Sequence, residues 1–167
     1  NEPGLVATTY EPIKLNTGQE NLWINQIYNH LGYSSSSHLS NAYYYNHARR
    51  AAAGTDWAIT IFVVNSISDS DGKFADGYFG YAYVNGPFMV MTYDNNGWGI
   101  GNMEMVTAHE NSHLFGGLDQ YAAPGCSTSQ VGGYLGIANT NCENGSATET
   151  SIMRSSTNQQ IAYPNHL

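Results

Sequence analysis

Positive charge is scarce in this sequence. Five lysines and arginines stand against thirteen aspartates and glutamates, the formal net charge is −8, and Lys14 and Lys73 are the only lysines in 167 residues. Nucleic acids and anionic lipid surfaces are bound through clustered cations, so neither is an expected partner. Long apolar runs are missing too: no stretch approaches the roughly 20 residues needed to span a bilayer. The two cysteines, Cys126 and Cys142, lie outside any C-x-x-C, which argues against a structural zinc held by thiolates. Only 11% of residues are charged, while Gly, Tyr, Asn, Ser and Thr abound. That polar, uncharged composition is common in secreted proteins. Neither end reads as a targeting segment, so the expectation is a processed chain or a domain of a longer one. The length suits one domain with a substantial core.

The most informative stretch is residues 103–119, Met-Glu-Met-Val-Thr-Ala-His-Glu-Asn-Ser-His-Leu-Phe-Gly-Gly-Leu-Asp. Within it, His109-Glu110-Asn111-Ser112-His113 spells H-E-x-x-H. Residues four apart share a helix face, so the two imidazoles can be directed at one point. Glu110 then projects beside an ion rather than onto it, placed to take a proton from water. Gly116 falls where a helix ends on a left-handed residue, and a sharp turn there can bring Asp119 back as a third ligand. The expected centre is one zinc on His109, His113 and Asp119, with Glu110 as general base.

The extended pattern H-E-x-x-H-x-x-G-x-x-D, followed downstream by Ser151-Ile152-Met153-Arg154, resembles the metzincin clan of zinc metallopeptidases. Asp119 stands where most of that clan has histidine; small bacterial members of the snapalysin type carry aspartate there, and the longer string through Cys126, Cys142 and Met153 resembles a secreted bacterial or archaeal group of such peptidases. The motif resemblance covers roughly residues 100–155 and includes Cys126 and Cys142; upstream it lies only in the order of elements. It implies a secreted endopeptidase acting on polypeptides, with Met153 in a Met-turn beneath the metal. Some members carry a tyrosine two residues after that methionine, where this chain has Ser155; Tyr121 is one of several tyrosines that can assist instead. The resemblance also implies one catalytic domain over 1–167, with an upper subdomain of about 1–116 and an irregular lower one of about 117–167. The expected fold class is α+β: a twisted, mostly parallel sheet with an antiparallel edge strand, and two or three helices including the zinc helix.

Taken in order, residues 1–16 predict an extended lead-in and 17–31 a first helix, with Thr17 as cap, Glu20 three residues later and Gly32 as stop. A second helix is expected from Ser40 or Asn41 through Ala53, ended by Gly54. Residues 57–64 are dense in β-branched and aromatic side chains and predict a buried, parallel strand. Residues 78–84 alternate aromatic with small residues and predict an edge strand, able to pair with an extended substrate or to be no more than a sheet edge. Residues 88–93 form another strand, the zinc helix starts near Gly101, and a short final helix follows Met153. In the clan's order of elements, a first strand is missing.

Several residues keep alternative readings. Glu143 and Glu149 are the other candidates for third ligand, as in gluzincins, although their Gly/Asn-rich surroundings do not predict the helix such a glutamate needs. Asp69, Asp71 and Asp76 surround a glycine, a calcium-like composition without the bidentate glutamate of an EF-hand, and equally a solvated loop. Cys126 and Cys142 are either buried thiols or a disulfide closing a segment too polar to hold itself by burial; the disulfide would stabilise by about 3 kcal/mol and implies an oxidising compartment. His30, His38, His47 and His166 match no ligand pattern. A non-catalytic binding or adhesion module of a larger extracellular protein, and a zinc hydrolase acting on something other than peptides, stand as the other functional classes. The intact Glu110 speaks against the first. A monomer is the expected state.

Overall fold

The computed structural model describes residues 4–94 and 100–154 of the chain. Three helices and two small sheets make up its regular structure, so the fold is mixed α and β. The elements are α1 (Asn21–His30), α2 (His38–Ala53), β1 (Thr60–Val64), β2 (Gly80–Ala82), β3 (Phe88–Thr92), α3 (Met103–Leu114) and a short hairpin of β4 (Val131–Gly132) and β5 (Ile137–Ala138). No helix among the described residues is long and apolar enough to cross a membrane.

The main sheet has the order β1-β3-β2, with β1 parallel and β2 antiparallel to the central β3. It is therefore evenly mixed rather than mostly parallel. Every residue of β3 is buried, because helices cover both of its faces. On one face Phe88 and Val90 join Phe62, Val64, Trp23, Ile24 and Tyr28 in a core closed by α1 and α2. On the other, Met89 and Met91 meet Val106 and Leu114 of α3. Residue parity along β3 thus divides the protein into two cores, as the two-residue period of a strand requires.

Three boundaries differ from expectation for physical reasons. The first helix begins after a 3₁₀ turn at Thr17–Gln19, and Gln19, not Glu20, turns its side chain back to accept from the Asn16 amide at 3.1 Å. Glu20 is withdrawn into the interior at 2% exposure. The second helix starts at His38, earlier than the apolar spacing suggests, and ends at Gly54 in a left-handed conformation with φ of 64°, as expected. The third difference is in β1. It is parallel as expected, but it is an edge strand: Phe62 and Val64 are buried while Ile61 and Val63 are 41% and 48% exposed. A continuous β-branched run reads as a strand buried on both faces, but α3 packs under β2 and β3 and leaves this side of β1 open.

After α3 the chain is held by turns and by one covalent bond. Cys126 and Cys142 form a disulfide with Cα atoms 5.8 Å apart. Both sulfur-bearing residues are buried beneath a segment whose exposed side chains include Val131, Tyr134, Leu135 and Ile137. A disulfide of this kind belongs to an oxidising compartment. The expected final helix and Ser155 lie outside the described residues.

Replacing both cysteines by serine is expected to lower unfolding stability by about 3 kcal/mol, the loop-closure value for a bridge of this span. Chemical denaturation of the double variant checks the size. Alkylation of the unreduced native protein, read by intact mass, checks the bond, and two modified thiols would contradict it.

Candidate metal centre

α3 carries His109, Glu110 and His113 as buried residues on a helix anchored by Val106 and Leu114 against the sheet. The helix ends through Gly116, whose φ is 81°. Its amide bonds to the His113 carbonyl at 2.9 Å, and that of Gly117 reaches Ser112 O at the same distance. A side chain at Gly116 would be doubly excluded: the conformation is left-handed, and a Cβ would sit 2.9 Å from Asn85 Oδ1. The turn sends the chain back across the end of α3 and returns Asp119 to the two histidines.

His109 Nε2 lies 3.2 Å and His113 Nε2 3.4 Å from the same atom, Asp119 Oδ1. Ligand atoms of these three residues all fall within 4.8 Å of one another, a group able to hold a metal ion. The other ring nitrogens are already committed. His109 Nδ1 is 2.8 Å from the Ile152 carbonyl and His113 Nδ1 is 2.8 Å from the Gly117 carbonyl. A carbonyl only accepts, so Nδ1 carries a proton, and whenever a ring is neutral its Nε2 lone pair is turned toward Asp119. Asp119 Oδ1 is itself buried with no hydrogen-bond partner. With both rings neutral, as metal ligation requires, three acceptors converge there with no donor among them. A cation at that point reconciles them, and the two nitrogens and one oxygen, with backbone carbonyls orienting both imidazoles from behind, suit a divalent metal ion.

The titration behaviour of the protein without metal follows from the same geometry. Burial would lower the pKa of both histidines, but it is outweighed by Asp119 and by the carbonyls of Ile152 and Gly117, so both are raised. Asp119 is partly buried, which alone would raise it, yet the two histidines hold it well below the usual carboxylate range. Glu110 is pushed up to about 7, first by burial and further by the Asp119 charge, against the opposing pull of the two histidines.

Glu110 also touches the sheet. A Cβ built on Gly80 of β2 would lie 3.0 Å from Glu110 Oε1 and 3.2 Å from Val106 Cγ1. The alternation of small and aromatic residues in this strand has its cause here: Gly80 and Ala82 face α3, while Tyr81 packs against the opposite core.

The segment at Met153 closes the far side. Arg154 N bonds to Ser151 O, which makes residues 151–154 a turn, and Met153 O accepts from the Gln120 amide at 2.8 Å. Met153 is buried. The imidazole of the first ligand and the amide next to the third are thus both held by carbonyls of this one turn. Tyr121 places its ring 6.0 Å from that of His109. Burial, then the charges of Asp119 and Glu110, push its phenol up to about 12.

The alternative ligands go elsewhere. Glu143 lies 3.7 Å from Arg154 Nε and accepts from the Ala122 amide, and neither Glu143 nor the exposed Glu149 joins the metal group. Asp69 takes a salt bridge from Lys14 and the amides of Asp71 and Gly72, while Asp76 takes the amide and hydroxyl of Thr17. Asp69, Asp71 and Asp76 form no common ligand group among the described residues. His38 bonds to Glu20 and His47 to Arg50, while His166 lies outside the described residues. Sequence reasoning missed Arg154, whose Nη1 bonds to Asn141 O, Asn141 Oδ1 and Ala147 O, and Asn139, which donates to Asp119 O. A lone buried cation in a polar loop has no periodicity to betray it.

A folded-state pKa raised above its unfolded value means that the native state binds more protons, so stability falls as pH rises through that interval. His109, His113 and Glu110 are all raised, Glu110 from 4.5 to about 7. The metal-free protein is therefore expected to lose thermal stability between about pH 5 and pH 8, while the rise in Tm on adding zinc grows over the same range, because ligation needs the deprotonated rings. Scanning calorimetry with chelator and with zinc checks both slopes; a zinc effect independent of pH would contradict the assignment. Compared with protein-family models, curated proteins and solved structures, the chain has no significant match, so the centre stands on its own geometry.

Proposed function

We propose that this chain is the catalytic domain of a secreted zinc-dependent endopeptidase of metzincin type, with residues 1–116 above the cleft and 117–167 below it. The observation that carries the reading is the meeting of the His109 and His113 Nε2 lone pairs at an otherwise partnerless Asp119 oxygen, with a buried carboxylate next to them. Zinc held by those three residues would supply Lewis acidity, polarising a peptide carbonyl and making water more acidic.

The chain's own groups have distinct tasks. Glu110, raised toward neutrality, takes a proton from the attacking water at its carboxylate and returns it to the leaving amine. The phenol of Tyr121 remains protonated across the physiological range and is a donor for negative charge developing on the carbonyl oxygen. Among the described residues β2 is a sheet edge passing over Glu110, so its outer backbone groups can align an extended polypeptide. Met153 forms a hydrophobic floor and is not a ligand. The disulfide supports the secreted location, and the acidic surface favours no nucleic-acid partner. The second reading, an inactive binding module on the same fold, leaves the burial of Glu110 without a purpose. A carboxylate taken out of water at that cost is kept where its chemistry is used.

Two sets of variants test the assignment in a peptide-library cleavage assay with metal analysis. Glu110→Gln is expected to keep its zinc and to lose about 10²–10⁴ in turnover, the range for a general base. Unchanged turnover, or loss of the metal, would contradict its role. Asp119→Ala is expected to lose zinc affinity and cleavage together. Asp119→His should retain the metal with a pH profile moved toward lower values, since a neutral ligand leaves zinc more electrophilic. Tyr121→Phe is expected to bind zinc normally and to lower kcat about 10²-fold, the lower end of the range for removal of one transition-state donor.

A further inference from the structure

Glu20 is a buried carboxylate at 2% exposure, on the face of the sheet opposite the metal group. Its Oε1 accepts from Tyr83 OH at 2.6 Å and from His38 Nε2 at 2.8 Å. Oε2 and the hydroxyl of Tyr81 are both buried, and neither has a hydrogen-bond partner among the described residues. Burial first, and then the Glu20 charge, raise the Tyr81 phenol, which keeps it protonated as a donor. Three segments therefore meet at one carboxylate: the start of α1, the start of α2 through His38, and the end of β2 through Tyr83, with Tyr81 feeling the same charge. The rings of His38 and Tyr83 also pack on Phe88 of β3, with centroids 6.0 and 5.7 Å away.

Burying a charge is expensive, and an apolar replacement of similar volume is often neutral or stabilising. What an apolar residue cannot do is fix the height of a strand by directed bonds. Tyr81 lies between Gly80 and Ala82, the two small residues that face α3, and Gly80 is the residue against Glu110. The clamp grips the back of the same three-residue strand whose front limits Glu110.

We propose that Glu20 is a positioning residue: it clamps β2 from behind, so that Gly80 stays seated on Glu110 and the free edge is held ready for an extended polypeptide. The functional half of this statement rests on the peptidase reading; the structural half does not. His38 and Tyr83 tie the clamp to α2 and to the end of the strand, so a peptide bound along the edge is registered against the whole upper core.

The test uses the zinc-loaded full chain with Glu20→Gln, which keeps the shape, and Tyr83→Phe, which removes one hydroxyl from a partly exposed ring. Amide hydrogen exchange should rise about tenfold across residues 79–84 and stay unchanged across 103–114, with zinc stoichiometry intact, the scale of losing one hydrogen bond to a charged group. For an extended peptide substrate, KM should rise about tenfold in Glu20→Gln and less in Tyr83→Phe, with a smaller fall in kcat as Gly80 loosens over Glu110. Unchanged exchange at 79–84 overturns the clamp. Faster exchange with an unchanged KM overturns its role toward substrate. Loss of zinc along with the strand would mark a general structural role and also contradict the proposal. If Glu20→Gln does not fold, Tyr83→Phe decides by the same criteria. If the wild-type protein cleaves no peptide, the peptidase reading fails, while the exchange result still decides the clamp.

Discussion

The structure depends on an electrostatic conflict at one atom. Two imidazoles, each with its proton fixed on the far nitrogen by a backbone carbonyl, present lone pairs to an aspartate oxygen that has no donor of its own. Nothing in that arrangement is favourable for a neutral, ion-free protein. Without metal, the conflict is relieved by raising the histidine pKa values and depressing that of Asp119. With metal, all three lone pairs are used. The carbonyls of Ile152 and Gly117 come from two different turns, so the tautomers of both rings are written into the backbone path after α3. That path in turn depends on Gly116, on the disulfide, and on Arg154 beneath the loop.

Around this point the sheet performs two jobs on two faces. The parity of β3 sends Phe88 and Val90 toward α1 and α2, and sends Met89 and Met91 toward α3. β2 follows the same division, with Gly80 and Ala82 toward α3, and Tyr81 and the adjoining Tyr83 toward the other core, where Tyr83 bonds to the buried Glu20. Glu110 is desolvated in part because Gly80, which has no side chain, lets β2 pass directly over it. Its raised pKa and its position under a free sheet edge thus share one steric cause.

Much of this was legible in the residues, and for identifiable reasons. The four-residue spacing of His109 and His113, the glycine three residues on, and Asp119 beyond it are short-range features. Helix geometry and a single turn suffice to bring them together. The disulfide could be expected because the loop has few other means of support. The edge position of β1 was hidden, since a run of β-branched residues looks the same whether or not a helix covers it. Glu20 was misread for a related reason: a glutamate three residues after a threonine looks like a cap, and only the placement of Tyr83 and His38, distant in sequence, reveals its burial. The hydrogen bonds of Asn139 and Arg154 are likewise long-range. The Asp69 loop has a calcium-like composition, but its carboxylates are occupied by Lys14, Thr17 and neighbouring amides.

The most direct test of the central claim is X-ray absorption at the zinc edge of the metal-loaded protein. The account predicts one zinc per chain in a light-atom shell of two imidazole nitrogens and carboxylate and water oxygens at about 2.0–2.2 Å, with two imidazoles resolved in the outer shells. A sulfur neighbour near 2.3 Å, a third imidazole, or no tightly bound zinc would contradict it.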